Sequence, residues 1–163
     1  MTAHYQIIPA GEADLPAVFD LIDQRIHWLQ ERSNPQWDTY REAYPDEYFH
    51  ALVRKQQLYL LKVEDTVAAM AALFASDSLW TNGAAALYVH NLAADARFPG
   101  AGRAILEFCE AQARAQNCDF LRLDCSAKNP KLNEYYESLG FAFVATAPGD
   151  EYYIPNLREK KLR

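Results

Sequence analysis

Basic charge is in short supply in this sequence: 16 lysines and arginines stand against 22 aspartates and glutamates, a formal net charge of -6. A general nucleic-acid binder normally shows a basic patch or stripe, so the balance argues against that class and, weakly, for cationic partners. Cysteine is scarce too. Cys109, Cys118 and Cys125 are odd in number and have neither CxxC spacing nor a nearby histidine cluster. That argues against a disulfide framework and a zinc site, so no metal is expected and a reducing cytoplasm fits. No stretch approaches the ~20 apolar residues of a membrane span, and MTAHYQIIPAGEAD lacks a basic start followed by an apolar run. A chain with no membrane and no targeting signal is therefore expected. Internal repeats, linkers and low-complexity tracts are absent as well. What is present is 163 residues, 50% hydrophobic, which is enough for one compact domain spanning residues 1–163.

Periodicity divides the chain into alternating element types. A short strand is expected at His4 to Ile8, after which Asp14 can cap a helix with Leu15, Val18, Phe19, Ile22, Ile26 and Leu29 at helical spacing. Ser33-Asn34-Pro35-Gln36-Trp37 breaks that pattern, and a second helix starts after Pro45-Asp46 with Tyr48, Phe49, Leu52 and Val53 inward. LYLLKVE and VAAMAALFAS flank Glu64-Asp65-Thr66 as a hairpin, although alanine makes the second arm a poor strand former. A βαβα unit follows: a strand at Ala85 to Leu92, a helix to about Gln116, a strand at Phe120 to Cys125 and a helix from Pro130 to Leu139. Two more strands, FAFVATA and Tyr152 to Leu162, are joined through Pro148-Gly149-Asp150.

The sharpest motif is Arg97-Phe98-Pro99-Gly100-Ala101-Gly102-Arg103, which follows a strand and opens a helix with Ile105, Leu106, Cys109 and Ala113 on its apolar face. Glycines let a backbone approach a ligand closely. Free amides at a helix start carry roughly half a positive charge, and Arg97 and Arg103 flank them, so the pattern suits a pyrophosphate. Walker A chemistry is closed because no Gly-Lys-Ser/Thr follows. A dinucleotide fingerprint gains from Asp124, about 20 residues on, where a ribose-binding acid would sit. It loses because its third glycine position is Ile105 and the loop AADARFP separates strand from glycine.

Arg-x-x-Gly-x-Gly between a strand ending Leu92-Ala93-Ala94 and a helix resembles the acetyl-CoA signature of the GNAT N-acetyltransferases. Downstream, Asn129-Pro130-Lys131-Leu132-Asn133-Glu134-Tyr135-Tyr136-Glu137-Ser138-Leu139-Gly140-Phe141 resembles the family's Asn-to-Tyr-Glu-x-x-Gly-Phe segment. The resemblance covers Tyr88 to Phe141 clearly and the N-terminal third in element order only. It implies an α/β fold with a mixed, mostly antiparallel sheet of six to seven strands, splayed between two parallel strands, with helices on both faces. It also implies acetyl-CoA as cosubstrate and acetyl transfer to a primary amine of a small molecule or peptide by direct attack on the thioester. Leu92 and Ala94 would pair with pantetheine through their backbones. Arg97, Phe98, Pro99, Gly100, Ala101, Gly102 and Arg103 would hold the pyrophosphate, and Asn129 would meet the pantetheine arm. Dimerisation recurs in the family, but no self-complementary patch is legible here.

Tyr136 matches the family's general acid. A phenol with pKa ~10 stays protonated at neutral pH, while a thiol near ~8.5 is the group to be neutralised on departure. An alkylamine with pKa ~10.4 arrives protonated and needs a base; His90 is the candidate, although Asn91 could face the site instead. Trp28, Trp37 and Tyr88 are candidates for lining the acceptor pocket, with Trp37 and Tyr88 carried forward. Plainer readings stand beside these. Tyr136 belongs to an amphipathic face with Leu132, Tyr135 and Leu139. His90 could satisfy a neighbour, the aromatics could be packing, and Asp124 could pair with Arg122 or Lys128 as an ordinary surface carboxylate. Arg158-Glu159-Lys160-Lys161 reads as a solvated face. A non-catalytic acyl-CoA-binding regulatory module remains the alternative from another class.

Overall fold

The computed structural model describes residues 4–163. Seven strands build a mixed, mostly antiparallel sheet, accompanied by five helices. The α/β class expected from the sequence is the one observed. The chain divides into two compact units, one of Met1–Leu73 with Asn91–Phe108, the other of Phe74–His90 with Cys109–Arg163. Among the described residues no helix is long and apolar enough to cross a membrane.

The first unit begins with β1 (Gln6–Pro9), then α1 (Leu15–Glu31), α2 (Tyr40–Ala43), α3 (Asp46–Arg54), β2 (Leu58–Val63) and β3 (Thr66–Phe74). Helix α1 buries Leu15, Val18, Leu21, Ile22 and Leu29; of the stripe its periodicity predicts, Phe19 and Ile26 are half-buried, and Leu21 is added. Pro16 is harmless in the first turn, where its missing N–H would have no acceptor anyway. Asp14 does not cap the helix as expected. Its carboxylate accepts from the Gly11 N–H at 2.8 Å and from Lys62 Nζ at 2.6 Å, so a 3-10 turn at Glu12–Asp14 precedes α1 instead. The linking segment expected as loop contains α2. β1 to β3 form an antiparallel ladder, with Ile7 opposite Leu61 and Leu60 opposite Met70. Ala68, Ala69, Met70, Ala71 and Ala72 are all fully buried. An arm buried on both faces explains why a weak strand former holds there: packing overrides propensity.

The second unit contains most of β4 (Ala86–Ala94), then β5 (Phe120–Ser126), α5 (Pro130–Ser138), β6 (Ala142–Thr146) and β7 (Pro155–Lys161); α4 (Ala101–Ala115) and β4 each run through both units. β5 pairs with β7, and β7 with β6, antiparallel. β4 and β5 are parallel, but their ladder ends at Tyr88 opposite Arg122. Val89 and His90 on one strand, and Leu123 to Ser126 on the other, are thus unpaired with each other. That is the expected splay. Arg122 is 1% exposed, yet its guanidinium is satisfied by Glu159 at 3.0 Å, Tyr88 at 3.1 Å and Asn82 at 2.8 Å, and lies over Trp80 at 4.3 Å. A buried charge survives only with such a full set of partners.

Candidate functional site

In the first unit the site is built at the end of β4. Asn91 sits in mid-strand with φ of +54°, a left-handed conformation that asparagine tolerates better than most residues. Two phenols hold it there. Tyr48 donates to Asn91 Oδ1 at 2.7 Å, and Asn91 Nδ2 donates to the Tyr40 hydroxyl at 2.8 Å. Burial pushes both tyrosine pKa values up, so both hydroxyls stay protonated. Tyr40 begins a run of aromatic contacts: Trp37 stacks on it at 4.2 Å, Tyr44 lies 4.8 Å away, and Tyr48 is 4.9 Å from Tyr44. Trp37, expected near the acceptor, is half-buried at one end of this run.

Beyond Ala94 the chain turns through Asp95, which the sequence reading passed over. The Asp95 N–H donates to Ala68 O at 2.9 Å. Its buried carboxylate accepts from the Arg97 N–H at 2.9 Å and from the Arg97 guanidinium at 2.6 Å. That guanidinium holds the Asp95 carboxyl below its ordinary pKa. Gly100 then adopts φ of +89°, which glycine alone enters freely. Its carbonyl accepts the first helical bond of α4, from Ala104. A Cβ at Gly102 would lie 3.4 Å from Ala94 Cβ, so the two glycines keep the loop bare and tight. The expected phosphate contacts need revision in detail. Pro99 has no N–H, and the Ala101 N–H already donates to Phe98 O at 3.1 Å. Arg97 is committed to Asp95, and Arg103 donates to Glu107 at 3.1 Å. Backbone N–H groups of Gly102 and Arg103, in the first turn of α4, have no acceptor within the helix, which leaves them available to an anion. A recess beside the loop is lined by Leu21, Gln24, Arg25, Trp28 and residues 94–97.

The second unit holds His90 and its carboxylate neighbours. His90 Nε2 lies 2.6 Å from Asp77 Oδ2, and its ring is 5.1 Å from Phe74. Asp77 Oδ1 accepts from the Leu79 N–H at 2.9 Å. Burial alone would raise the Asp77 pKa, but the hydrogen bonds from His90 and Leu79 outweigh it and leave it below the ordinary value. Asp124, expected to pair with Arg122 or Lys128, does neither: Arg122 is spent on Glu159, and Lys128 Nζ donates to Glu151 O at 3.4 Å. Asp124 instead accepts from the Tyr153 hydroxyl. Burial dominates its surroundings and pushes its pKa up. Asp77, His90 and Asp124 bring their polar atoms within 4.8 Å of one another. His90 and Asp124 were singled out beforehand, Asp124 as an ordinary surface carboxylate; Asp77 was not, because the loop carrying it has no periodic signature.

Tyr136 is 7% exposed on α5. Just past the helix Gly140 takes φ +95°, where the Phe141 N–H donates to Tyr136 O at 3.0 Å and the Phe141 ring meets the Tyr136 ring edge-on at 5.9 Å. The Gly-Phe of the motif is therefore a helix C-cap that fixes the tyrosine. Asn129 caps the other end, its Oδ1 accepting from the Leu132 N–H at 3.1 Å. Asn133, unremarked in the sequence, is the buried hub: its Oδ1 accepts from Arg158 at 3.0 Å and Asn156 at 3.1 Å, and its Nδ2 donates to Ser126 O at 2.9 Å. Tyr88 is corrected from pocket wall to packing: it is 5% exposed, clustered with Trp80, Ala86 and Leu157, and its hydroxyl accepts from Arg122.

Comparison with known proteins agrees with this architecture. A structure titled acetyltransferase GNAT family from Listeria monocytogenes matches with a TM-score of 0.78 at 22% identity, covering 99% of both chains. Another with that family title, from Streptococcus agalactiae, gives 0.79 at 18% identity, covering 98% of this chain and 96% of its own. The PaiA N-acetyltransferase of Thermoplasma acidophilum, solved with coenzyme A, gives 0.72 at 16% identity over 97% of this chain and 99% of its own. No relative was found among curated protein sequences. The acetyltransferase (GNAT) family matches residues 23–141, and with both motifs and the fold in agreement, this chain belongs to the GNAT acetyltransferase family.

Proposed function

We propose that this chain is an acetyl-CoA-dependent N-acetyltransferase that works as one domain in the cytoplasm, acetylating a primary amine of a small molecule or peptide. The observation that carries this reading is the bare loop at Gly100 and Gly102, which opens α4 with unclaimed Gly102 and Arg103 amides. A phosphorylated cosubstrate is what such a loop fits. Bound there, acetyl-CoA supplies an acetyl group activated as a thioester. The coenzyme complex of the Thermoplasma acidophilum neighbour supports that choice. Backbone groups at Leu92 and Ala94, and the Asn129 side chain, are assigned to the pantetheine arm. Three free, buried cysteines suit a reducing compartment.

His90 takes a proton from the arriving ammonium and frees the nitrogen lone pair for attack at the thioester carbon. As the N–C bond forms and the C–S bond breaks, Tyr136 gives its phenolic proton to the sulfur. The nitrogen sheds its second proton to solvent, from which Tyr136 is reprotonated. Trp37 and its aromatic run supply a flat apolar wall for the acceptor, a surface that also attracts cations. The test is Tyr136→Phe. Coenzyme A affinity, measured by isothermal titration, should stay within about twofold, while kcat falls by roughly 10²-fold or more, the range a general acid contributes. Unchanged kcat would remove Tyr136 from the mechanism.

A further inference from the structure

We propose that Asp77 is a positioning residue for His90, holding Nε2–H so that Nδ1 alone is free to accept the acceptor's proton. The inference rests on the acetyl-transfer reading above and concerns the nitrogen that does the work. Its ground is geometric. A carboxylate without a proton only accepts hydrogen bonds, so at 2.6 Å from Asp77 Oδ2 the Nε2 atom must be the donor. A neutral imidazole has one N–H, and once Nε2 holds it, Nδ1 carries the lone pair.

Asp77 is itself fixed, which distinguishes it from a chance surface partner. Its second oxygen accepts from the Leu79 N–H at 2.9 Å, and its side chain is 7% exposed while that of His90 is 23% exposed. The Phe74 ring lies against the imidazole at 5.1 Å. Asp124, held by Tyr153, is the other charged group facing the ring. When Nδ1 takes the proton, the new positive charge on the ring is close to two carboxylates, and the amine is released as a nucleophile. No bond to carbon is made by either aspartate. The proton moves from the ammonium nitrogen to Nδ1, and from there to solvent.

The test is Asp77→Asn, read in two ways. An asparagine keeps an oxygen for Leu79 and turns its NH₂ toward His90, which obliges Nε2 to accept and places the ring proton on Nδ1. Nitrogen-15 NMR of histidine side chains, with His90→Gln to assign the signal, should show Nε2–H in the parent protein and Nδ1–H in Asp77→Asn. With an alkylamine acceptor, kcat should fall roughly 10- to 100-fold, part of the 10²–10⁴ that a general base contributes. The KM for acetyl-CoA should stay within about twofold, as expected where uniform binding is untouched. A hydrazide, unprotonated at neutral pH, should lose less than about threefold, because it brings no ammonium proton to remove. Nδ1–H in the parent protein, or an unchanged tautomer and kcat in Asp77→Asn, would overturn the proposal. Absence of any amine transfer by the parent protein would instead overturn the acetyl-transfer reading, and the tautomer spectrum would still decide whether Asp77 sets the ring.

Discussion

At the scale of the residue, Asp124 is the side chain whose energetics and role pull apart. Burial disfavours its charged form, the Tyr153 hydroxyl and His90 favour it, and the net effect is a raised pKa. A carboxyl whose folded pKa exceeds its unfolded value costs stability at every pH where it is ionised, and the cost fades as pH falls below the unfolded value. Asp124→Asn, which can still accept from Tyr153, should therefore raise the Tm at pH 7, with the gain vanishing toward pH 3 in calorimetric scans. An equal or lower Tm at pH 7 would mean that Asp124 is ordinary structural support. A stabilising change at this position is what a functional site held under strain predicts. The opposite sign holds at Asp77 and Asp95, whose lowered pKa values give stability that is present at neutral pH and lost in acid.

At the scale of the element, the loop from Asp95 to Gly102 shows how partners within and beyond a segment shape it. Asp95 anchors it to β3 through Ala68, Arg97 folds back onto Asp95, and Gly100 takes a conformation that costs other residues about 1–2 kcal/mol. Gly100→Ala should accordingly lower stability by about 1–2 kcal/mol in denaturant titration and weaken coenzyme A binding in isothermal titration. Retained affinity would place the coenzyme elsewhere. Much of this was legible beforehand, because glycine spacing and helical periodicity are local signals. The residues that hold the loop shut were not. Asp95 acts through partners at Ala68 and Arg97, and Asn91 through Tyr40 and Tyr48, about 50 positions away in sequence. The N-terminus of α1 shows the same limit. Asp14 has the residue type and place of a cap, yet Lys62, 48 residues on, helps draw its carboxylate away.

At the scale of the whole molecule, hydrophobic periodicity was enough for the order of the strands and the longer helices, including the Ala-rich arm that only burial can explain, but not for the short α2 in the segment expected as loop. Long-range pairing was not readable in the same way. Arg122 and Arg158 looked like surface charges in strand-like segments, yet both are buried, each satisfied by side-chain or carbonyl partners brought together by folding. The net charge of -6 narrowed the partners without naming one. The bare loop lies in the first compact unit, and His90 and Tyr136 lie in the second. The most direct measurement is release of free thiol from acetyl-CoA by the purified protein, followed with and without alkylamine acceptors. The account predicts release that requires an amine, saturates with it, and falls about a hundredfold or more in Tyr136→Phe. Binding of acetyl-CoA with no amine-dependent release would contradict it and leave a coenzyme-binding protein that transfers nothing.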